Sequence, residues 1–306
     1  MTQDATVSIA APFITTTLAL NGDTSANSVI NSGSLQNVSL SYTNTLSTTV
    51  TNASVTIVVT GAAIDYDSIK TSSGFYNSID HSIVFSKDTD PALASLAPGA
   101  SGIGSFTFST LPVGLSSPTV TLAIAVSGTR VGQTNVPELV TTSAVKTAKV
   151  ATLIAFSAST VHDSGPITNS GPVPPVSGQA TTYSIIWDAQ NKGNAVAGGT
   201  VTATLPGYVS YTNQTSGTGT FSYNNVSHTL TWNIGDLVQG ASAQGVFQVS
   251  LTPSTSQRGG PVILTNQASF SGYDRFAGVR IGATADPVNT EATRDPGYTP
   301  GDGTVQ

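Results

Sequence analysis

The chain has 306 residues, with 10 Lys and Arg against 16 Asp and Glu for a net charge of −6, no cysteine, and only 8% charged residues. The lack of cysteine excludes disulfide staples, a thiol nucleophile and thiolate metal sites, and ten dispersed basic residues exclude a track for nucleic-acid phosphates. No run of eighteen apolar residues predicts a membrane-spanning helix, and Ser and Thr, more than a quarter of the chain, stand in for surface charge as in an exported β-protein.

In chain order, Met1-Thr2-Gln3-Asp4 lacks the basic start and apolar core of a signal peptide, so an exported protein implies an added Met1 on a mature or excised fragment. The alternating Val7/Ile9 segment is a candidate strand for pairing with a neighbour. Val38/Leu40/Tyr42, Val55/Ile57/Val59, Ile83/Phe85, Phe106/Phe108 and Val120/Leu122/Ile124/Val126 alternate with polar residues and predict strands with one face on a core. A single helical turn is expected at Ala92–Leu96, before Pro98. Val145–Ala151, free of Gly and Pro, predicts a short, stiff junction. The Pro-rich stretch Gly165–Val176 predicts a loop after the first strand of a second domain. Strands follow at Tyr183/Ile185/Trp187, Val201/Ala203/Leu205, Leu230/Trp232, Phe247/Val249/Leu251 and Ala268/Phe270. Asp295–Gly303 shows no apolar periodicity and reads as a linker or disordered tail leading to something longer.

The second half repeats the first. Tyr76-Asn77-Ser78-Ile79-Asp80-His81 returns as Tyr223-Asn224-Asn225-Val226-Ser227-His228 (223 − 76 = 147), and Leu96…Gly99…Phe106 returns as Leu237…Gly240…Phe247 (237 − 96 = 141). Constant order with a slowly drifting offset predicts two domains of one fold. With seven or eight antiparallel strands per repeat, the expected fold is all-β: two tandem immunoglobulin-like sandwiches, with a jelly roll as alternative. The boundaries are 1–147, 148–292, and a tail at 293–306.

Few residues invite chemistry. His81 and His228 share one repeat position and read as fold elements. His162, Asp163 and Ser164 suggest a Ser-His-Asp set, but sequence neighbours on a strand point to opposite faces and no nucleophile elbow is present. Asp65/Asp67, Asp88/Asp90, Asp286, Glu291, Asp295 and Asp302 read as solvated turn carboxylates, with calcium as the alternative. Lys149 and Lys192 are the candidates for a Lys–Asn isopeptide crosslink, but Lys146 and Lys149 flank the junction and read as a solvated basic patch. The sequons at Asn37, Asn52, Asn213 and Asn225 carry no weight in so hydroxyl-rich a chain. Trp187 and Trp232 occupy core positions, whereas Tyr208, Tyr211, Tyr273, Phe276 and Tyr298 fall near loops as candidates for a contact surface. No catalytic, cofactor or metal residue is assigned.

One run carries a resemblance: Tyr183…Trp187…Asn191-Lys192-Gly193, Val201…Leu205-Pro206, Leu230-Thr231-Trp232-Asn233-Ile234-Gly235-Asp236-Leu237, then Gly240 and Phe247. It resembles an Ig-like conserved repeat, a domain of unknown function found in tandem in large bacterial and archaeal cell-surface proteins, over roughly Val150–Ala292. The first half departs from it, with Asn44-Thr45-Leu46 in place of the Asn-x-Gly turn and neither Leu-Pro nor Ile-Gly. The resemblance implies a surface-exposed structural repeat with no catalytic residues. The expected role is a non-enzymatic stalk, surface-layer or fibre module that meets copies of itself or neighbouring surface domains. The alternative is an adhesin-type module binding glycan or protein through the loops at Tyr208 and Tyr273–Phe276. A hydrolase would need a facing carboxylate pair, and no acidic pair recurs at matched positions.

Overall fold

The computed structural model describes residues 12–112, 114–131 and 137–306; the Val7/Ile9 segment lies outside them. The chain divides into two compact units that change over between Val150 and Ala151, slightly beyond the expected Thr147, with Gly114–Ser117 grouped with the second.

The first unit holds β1 (Ile14–Leu20), β2 (Asn27–Asn31), β3 (Leu35–Asn44), β4 (Val50–Thr60), β5 (Ile64–Thr71), β6 (Phe75–Asn77), β7 (Ser82–Phe85), β8 (Ser95–Leu96), β9 (Ser101–Thr110), β10 (Thr119–Val131) and β11 (Pro137–Ala151). They form one sheet in the order β1-β3-β9-β5 and another in the order β2-β11-β10-β4-β7-β6, with β8 on β4. The second unit holds β12 (Ile154–Val161), β13 (Thr181–Asn191), β14 (Val196–Thr204), β15 (Val209–Gly217), β16 (Thr220–Asn224), β17 (Thr229–Leu237), β18 (Ser242–Leu251), β19 (Ile263–Thr265), β20 (Ala268–Asp274), β21 (Val279–Ala285) and β22 (Val288–Asn289). Its sheets run β12-β13-β18-β15 and β16-β17-β14-β20-β21, with β19 and β22 paired separately. The two orders match strand for strand, apart from β2, β8 and the β19–β22 pair. Both units are immunoglobulin-like sandwiches, and antiparallel pairs make up their long ladders.

Alternation decides which face is buried. In β3 every second residue from Gln36 to Asn44 is buried, and Val38, Leu40 and Tyr42 are each 1% exposed. They face a core shared with Val55, Ile57 and Val59 of β4 and with Phe106 and Phe108 of β9. In the second unit Tyr183, Ile185, Trp187, Leu230, Trp232, Phe247 and Val249 are all 0% exposed. Phe221 stacks on Trp232 at 5.9 Å, and Phe247 meets Trp187 edge-on at 4.8 Å. Truncating either indole to Ala would cost about 3–5 kcal/mol.

Three local expectations change. The helical turn spans Pro91–Ala94, one residue early, because the Asp90 carboxylate caps Ala92 N–H (3.1 Å); Ser95 and Leu96 then form β8. The Val145–Ala151 junction is the end of a fifteen-residue strand, β11. The segment after Ala292 is neither linker nor loose tail: Val305 is 2% exposed, its N–H donates to Gly260 O (3.2 Å), and Gln306 N–H donates to Pro175 O (2.8 Å). Its order comes from backbone bonds and one carboxylate, which leave no apolar period to read.

Candidate functional site

The most specific polar geometry is a corner that both units build from one asparagine at the end of the matching strands β3 and β13. In the first unit Asn44, 1% exposed, donates from Nδ2 to Thr48 O (2.9 Å), Leu96 O (2.9 Å) and Ala97 O (3.2 Å), and accepts Leu46 N–H (3.0 Å). In the second, Asn191, 0% exposed, donates to Asn194 O (2.7 Å), Leu237 O (3.1 Å) and Val238 O (3.0 Å), and accepts Gly193 N–H (3.0 Å). The main chain repeats as well: Asn44 bonds Ala100 O and Gly99 N–H, as Asn191 bonds Ala241 O and Gly240 N–H. Gly99 (φ 75°) and Gly240 (φ 73°) supply the left-handed turn this needs. Asn44 thus performs the task of the Asn-x-Gly turn although its glycine is missing, so the first unit is closer to the second than the sequence suggested.

The second unit extends this corner into a buried network. Thr152 donates from Oγ1 to Asn191 Oδ1 (2.8 Å) and from N–H to Asp274 Oδ2 (2.7 Å), which also accepts Asn194 Nδ2 (2.9 Å). Asp274 Oδ1 accepts the N–H groups of Phe276 (2.9 Å) and Ala277 (2.8 Å). Asp274 is 0% exposed, so four donors take the place of water around its two oxygens.

The repeated histidines form a second twin feature. His81 (φ 54°) and His228 (φ 51°) occupy the left-handed region, and each Nδ1 lies within hydrogen-bond distance of a tyrosine hydroxyl across the hairpin: Tyr76 (3.1 Å) and Tyr223 (3.0 Å). An Asn side chain organises each turn, through Asn77 Oδ1 to Ile79 N–H (3.0 Å) and Asn224 Oδ1 to Val226 N–H (2.9 Å). Ile79 and Val226 stand at the tips, 92% and 93% exposed.

His162, Asp163 and Ser164 do come together, but around Asp295. That carboxylate accepts the N–H groups of His162 (2.5 Å), Asp163 (3.0 Å) and Ser164 (3.0 Å) and the Ser164 hydroxyl (2.5 Å). The serine hydroxyl is therefore held by the acid and not by the histidine, whose Nδ1 faces Asp163 (2.5 Å). Asp295 is 8% exposed, which corrects its reading as a solvated turn residue. Burial works against its charge, yet the hydroxyl and three N–H groups hold its pKa below the usual carboxylate range. A depressed carboxylate stabilises the fold above its unfolded pKa, near 3.8, and that contribution is lost as pH falls through the folded value. Asp295→Ala should lower the stability of the second unit by about 2 kcal/mol. Hydrogen exchange should then open the amides of Val305 and Gln306, and acid that takes the pH down through the folded value, below 3.8, should produce the same change in the unaltered chain.

The remaining candidates scatter. Asp90 is not a free turn carboxylate, since it also accepts the Tyr42 hydroxyl, whose pKa burial and this contact push upward. Asp65 and Asp67 lie elsewhere, Asp88 shares the Asp90 turn and donates its N–H to Ser86 Oγ (3.3 Å), and Asp302 closes a turn through Thr299 N–H and Oγ1 (both 2.7 Å). Among the described residues no group of three His, Asp or Glu side chains is placed to hold a metal ion. Lys146 is not a solvated base: it is 4% exposed, and its Nζ donates to the carbonyls of Asp23 (2.8 Å) and Ser25. Burial pulls the pKa of that amine down, against the charge of Asp23. Tyr208 and Tyr273 are 45% and 46% exposed but do not share a surface. Tyr273 pairs with Ala197 at the start of β14, whereas Tyr208 follows its far end at Thr204, about 20 Å along the strand.

Sequence reasoning missed a hollow of about 540 Å³ on the outer face of the β1-β3-β9-β5 sheet. Register explains it. Thr17, Ser41 and Ile103 lie in one row across three strands, and Ala19, Ser39 and Ser105 in the next. Small side chains leave the depression, and Ile103, 81% exposed, stands in it. Its lining holds no titratable group, so it offers hydroxyls and a methyl surface for contact and no acid or base.

No family model matches the chain, and no curated protein matches it. Among solved structures it is similar to the protein solved as BspA_C_mut (9% identity, 92% of this chain and 99% of that one, TM-score 0.31). It is similar also to the major pilin SpaD of Corynebacterium diphtheriae (13%, 79% and 59%, 0.32). A variant of BcpA, the major pilin subunit of Bacillus cereus, aligns at 8% identity over 96% of this chain and 68% of that one, with a TM-score of 0.34. Superpositions at this level carry no functional information.

Proposed function

We propose that the chain is a non-catalytic structural module of an extracellular, cell-surface protein, of the kind the tandem Ig-like surface repeats exemplify. One observation carries the reading: the most specific polar geometry shared by the units, the Asn44 and Asn191 corners, is a buried fastening of backbone to backbone. What repeats is the means of keeping a sandwich closed. The long antiparallel ladders β3–β9 and β13–β18 would resist extension along the chain. Stretching a single molecule between its ends should therefore give two separate unfolding events. Each should release roughly 50 nm of chain, at about 3.5 Å per residue. Smooth extension without discrete events would overturn the mechanical reading. The uncharged hollow at Ile103 supports a second reading, an adhesin-type module for a neutral glycan or a protein. A glycan array and pull-down silent above background would remove it.

A further inference from the structure

We propose that β11 is the pairing edge of a two-fold dimer, in which Leu139–Val145 adds, antiparallel and centred on Thr142, to the same residues of a second copy. The backbone fixes which groups are on offer. Thr147 N–H points away from β10, to Ala26 O (2.9 Å), while Val150 N–H points the other way, to Pro118 O (2.9 Å). Pairing with β10 runs without a register shift from Lys149 to Pro137. Alternation then turns the N–H and C=O of Leu139, Thr141, Ser143 and Val145 outward.

Among the described residues, the strand beside this edge is the five-residue β2, and it covers the other end. β2 starts next to Thr147 and runs toward Lys149. Its last residue, Asn31, accepts Thr110 Oγ1 (2.7 Å). Leu111 N–H, next along, meets Ala63 O (2.8 Å), near Gly61, which packs against Thr119, the partner of Lys149. Lys146 seals the boundary by holding the carbonyls of Asp23 and Ser25.

Leu139–Val145 has none of the protections natural edges use: no charge, no Pro, no Gly, no bulge. The matching strand of the second unit, β21, is seven residues long and carries Arg280 and Gly282. The occupant is a second copy because the segment complements itself. Reading Glu138-Leu139-Val140-Thr141-Thr142-Ser143-Ala144-Val145-Lys146 against its own reverse sets Leu139 opposite Val145, Val140 opposite Ala144 and Thr141 opposite Ser143. The flanking charges are of opposite sign, so no like charges meet. Leu139 and Val145, 75% and 60% exposed, would cover each other on the outer face. Parity agrees: the outward residues form the hydrogen-bonded pairs, and Thr142 meets itself in the closer, non-bonded position. Such an isologous contact closes at two copies.

This goes beyond the mechanical role and is read separately from it, since a monomer can still resist extension. Sedimentation equilibrium of the full chain should show a concentration-dependent doubling of mass. Thr141→Lys with Ser143→Lys, both on the exposed face, should abolish it; so should Thr141→Glu with Ser143→Glu, and mixing the two variants should restore the dimer. Thr142→Cys in this otherwise cysteine-free chain should form a disulfide dimer on mild oxidation far faster than Thr141→Cys. A strictly monomeric chain would overturn the proposal, whether the Leu139–Val145 amides exchange freely or are already protected by another segment. A dimer indifferent to the Lys pair would overturn it too, and crosslinking that favours position 141 would overturn the register.

Discussion

Replacing Asn191 with alanine is expected to destabilise the second unit by about 3–5 kcal/mol, because it leaves buried groups without partners instead of merely removing bonds. The side chain satisfies three carbonyls, the Gly193 N–H and the Thr152 hydroxyl, all but the Val238 contact away from water. Alanine cannot replace those contacts, and the space it leaves is polar. A loss of that size approaches the whole stability of an ordinary domain. Chemical denaturation followed by far-UV circular dichroism should show the second unit melting early and the first unchanged. Asn44→Ala in the first unit should cost less, about 2–3 kcal/mol, since it ends in the corner and is not joined to a carboxylate network. Equal effects would show that the network around Thr152 contributes nothing beyond the shared corner.

The other large effect is expected at Asp274. Asp274→Ala should cost about 3–5 kcal/mol, because four donors lose a fully buried acceptor. Asp274→Asn should recover little, since the amide must present its own N–H groups to donors already pointing inward. The two alanine substitutions should not add. Both act through Thr152 and Asn194, so the double variant should lose clearly less than the sum, by about 1–2 kcal/mol in a thermodynamic cycle. Strict additivity would mean that Asn191 and Asp274 are two separate fastenings.

What could be read in the sequence was whatever repeats with period two. The inward residues of β3, β4, β9, β13 and β18 announce themselves because a sheet with one buried face must alternate. The corner was half legible. Asn191-Lys192-Gly193 stood out as a turn, but Asn44 was discounted for lacking the glycine, when the work is done by its amide and by Gly99, fifty-five positions on (99 − 44 = 55). Asp274 gave no signal and Asp295 read as a solvated turn residue, because a carboxylate buried among N–H groups is written in the same letter as one in water. The hollow at Ile103 was hidden for another reason: it exists only once Thr17, Ser41 and Ile103 are brought into register across three strands. The edge of β11 was obscured by its own length, since a strand passing through the boundary looks like a junction.

The two units also differ in a way that makes them separable to a spectroscopist. Both tryptophans of the chain, Trp187 and Trp232, are sealed in the core of the second unit, and the first unit has Tyr42 and Phe85 at the matching places. Indole emission therefore watches one half of the molecule alone. His81 and His228, held in twin turns by Tyr76 and Tyr223, give each half an imidazole resonance of its own, set apart by the Tyr66 ring that stacks on His81 at 3.8 Å. The two halves thus come with their own labels, and the fate of each can be followed in the intact chain without attaching a probe.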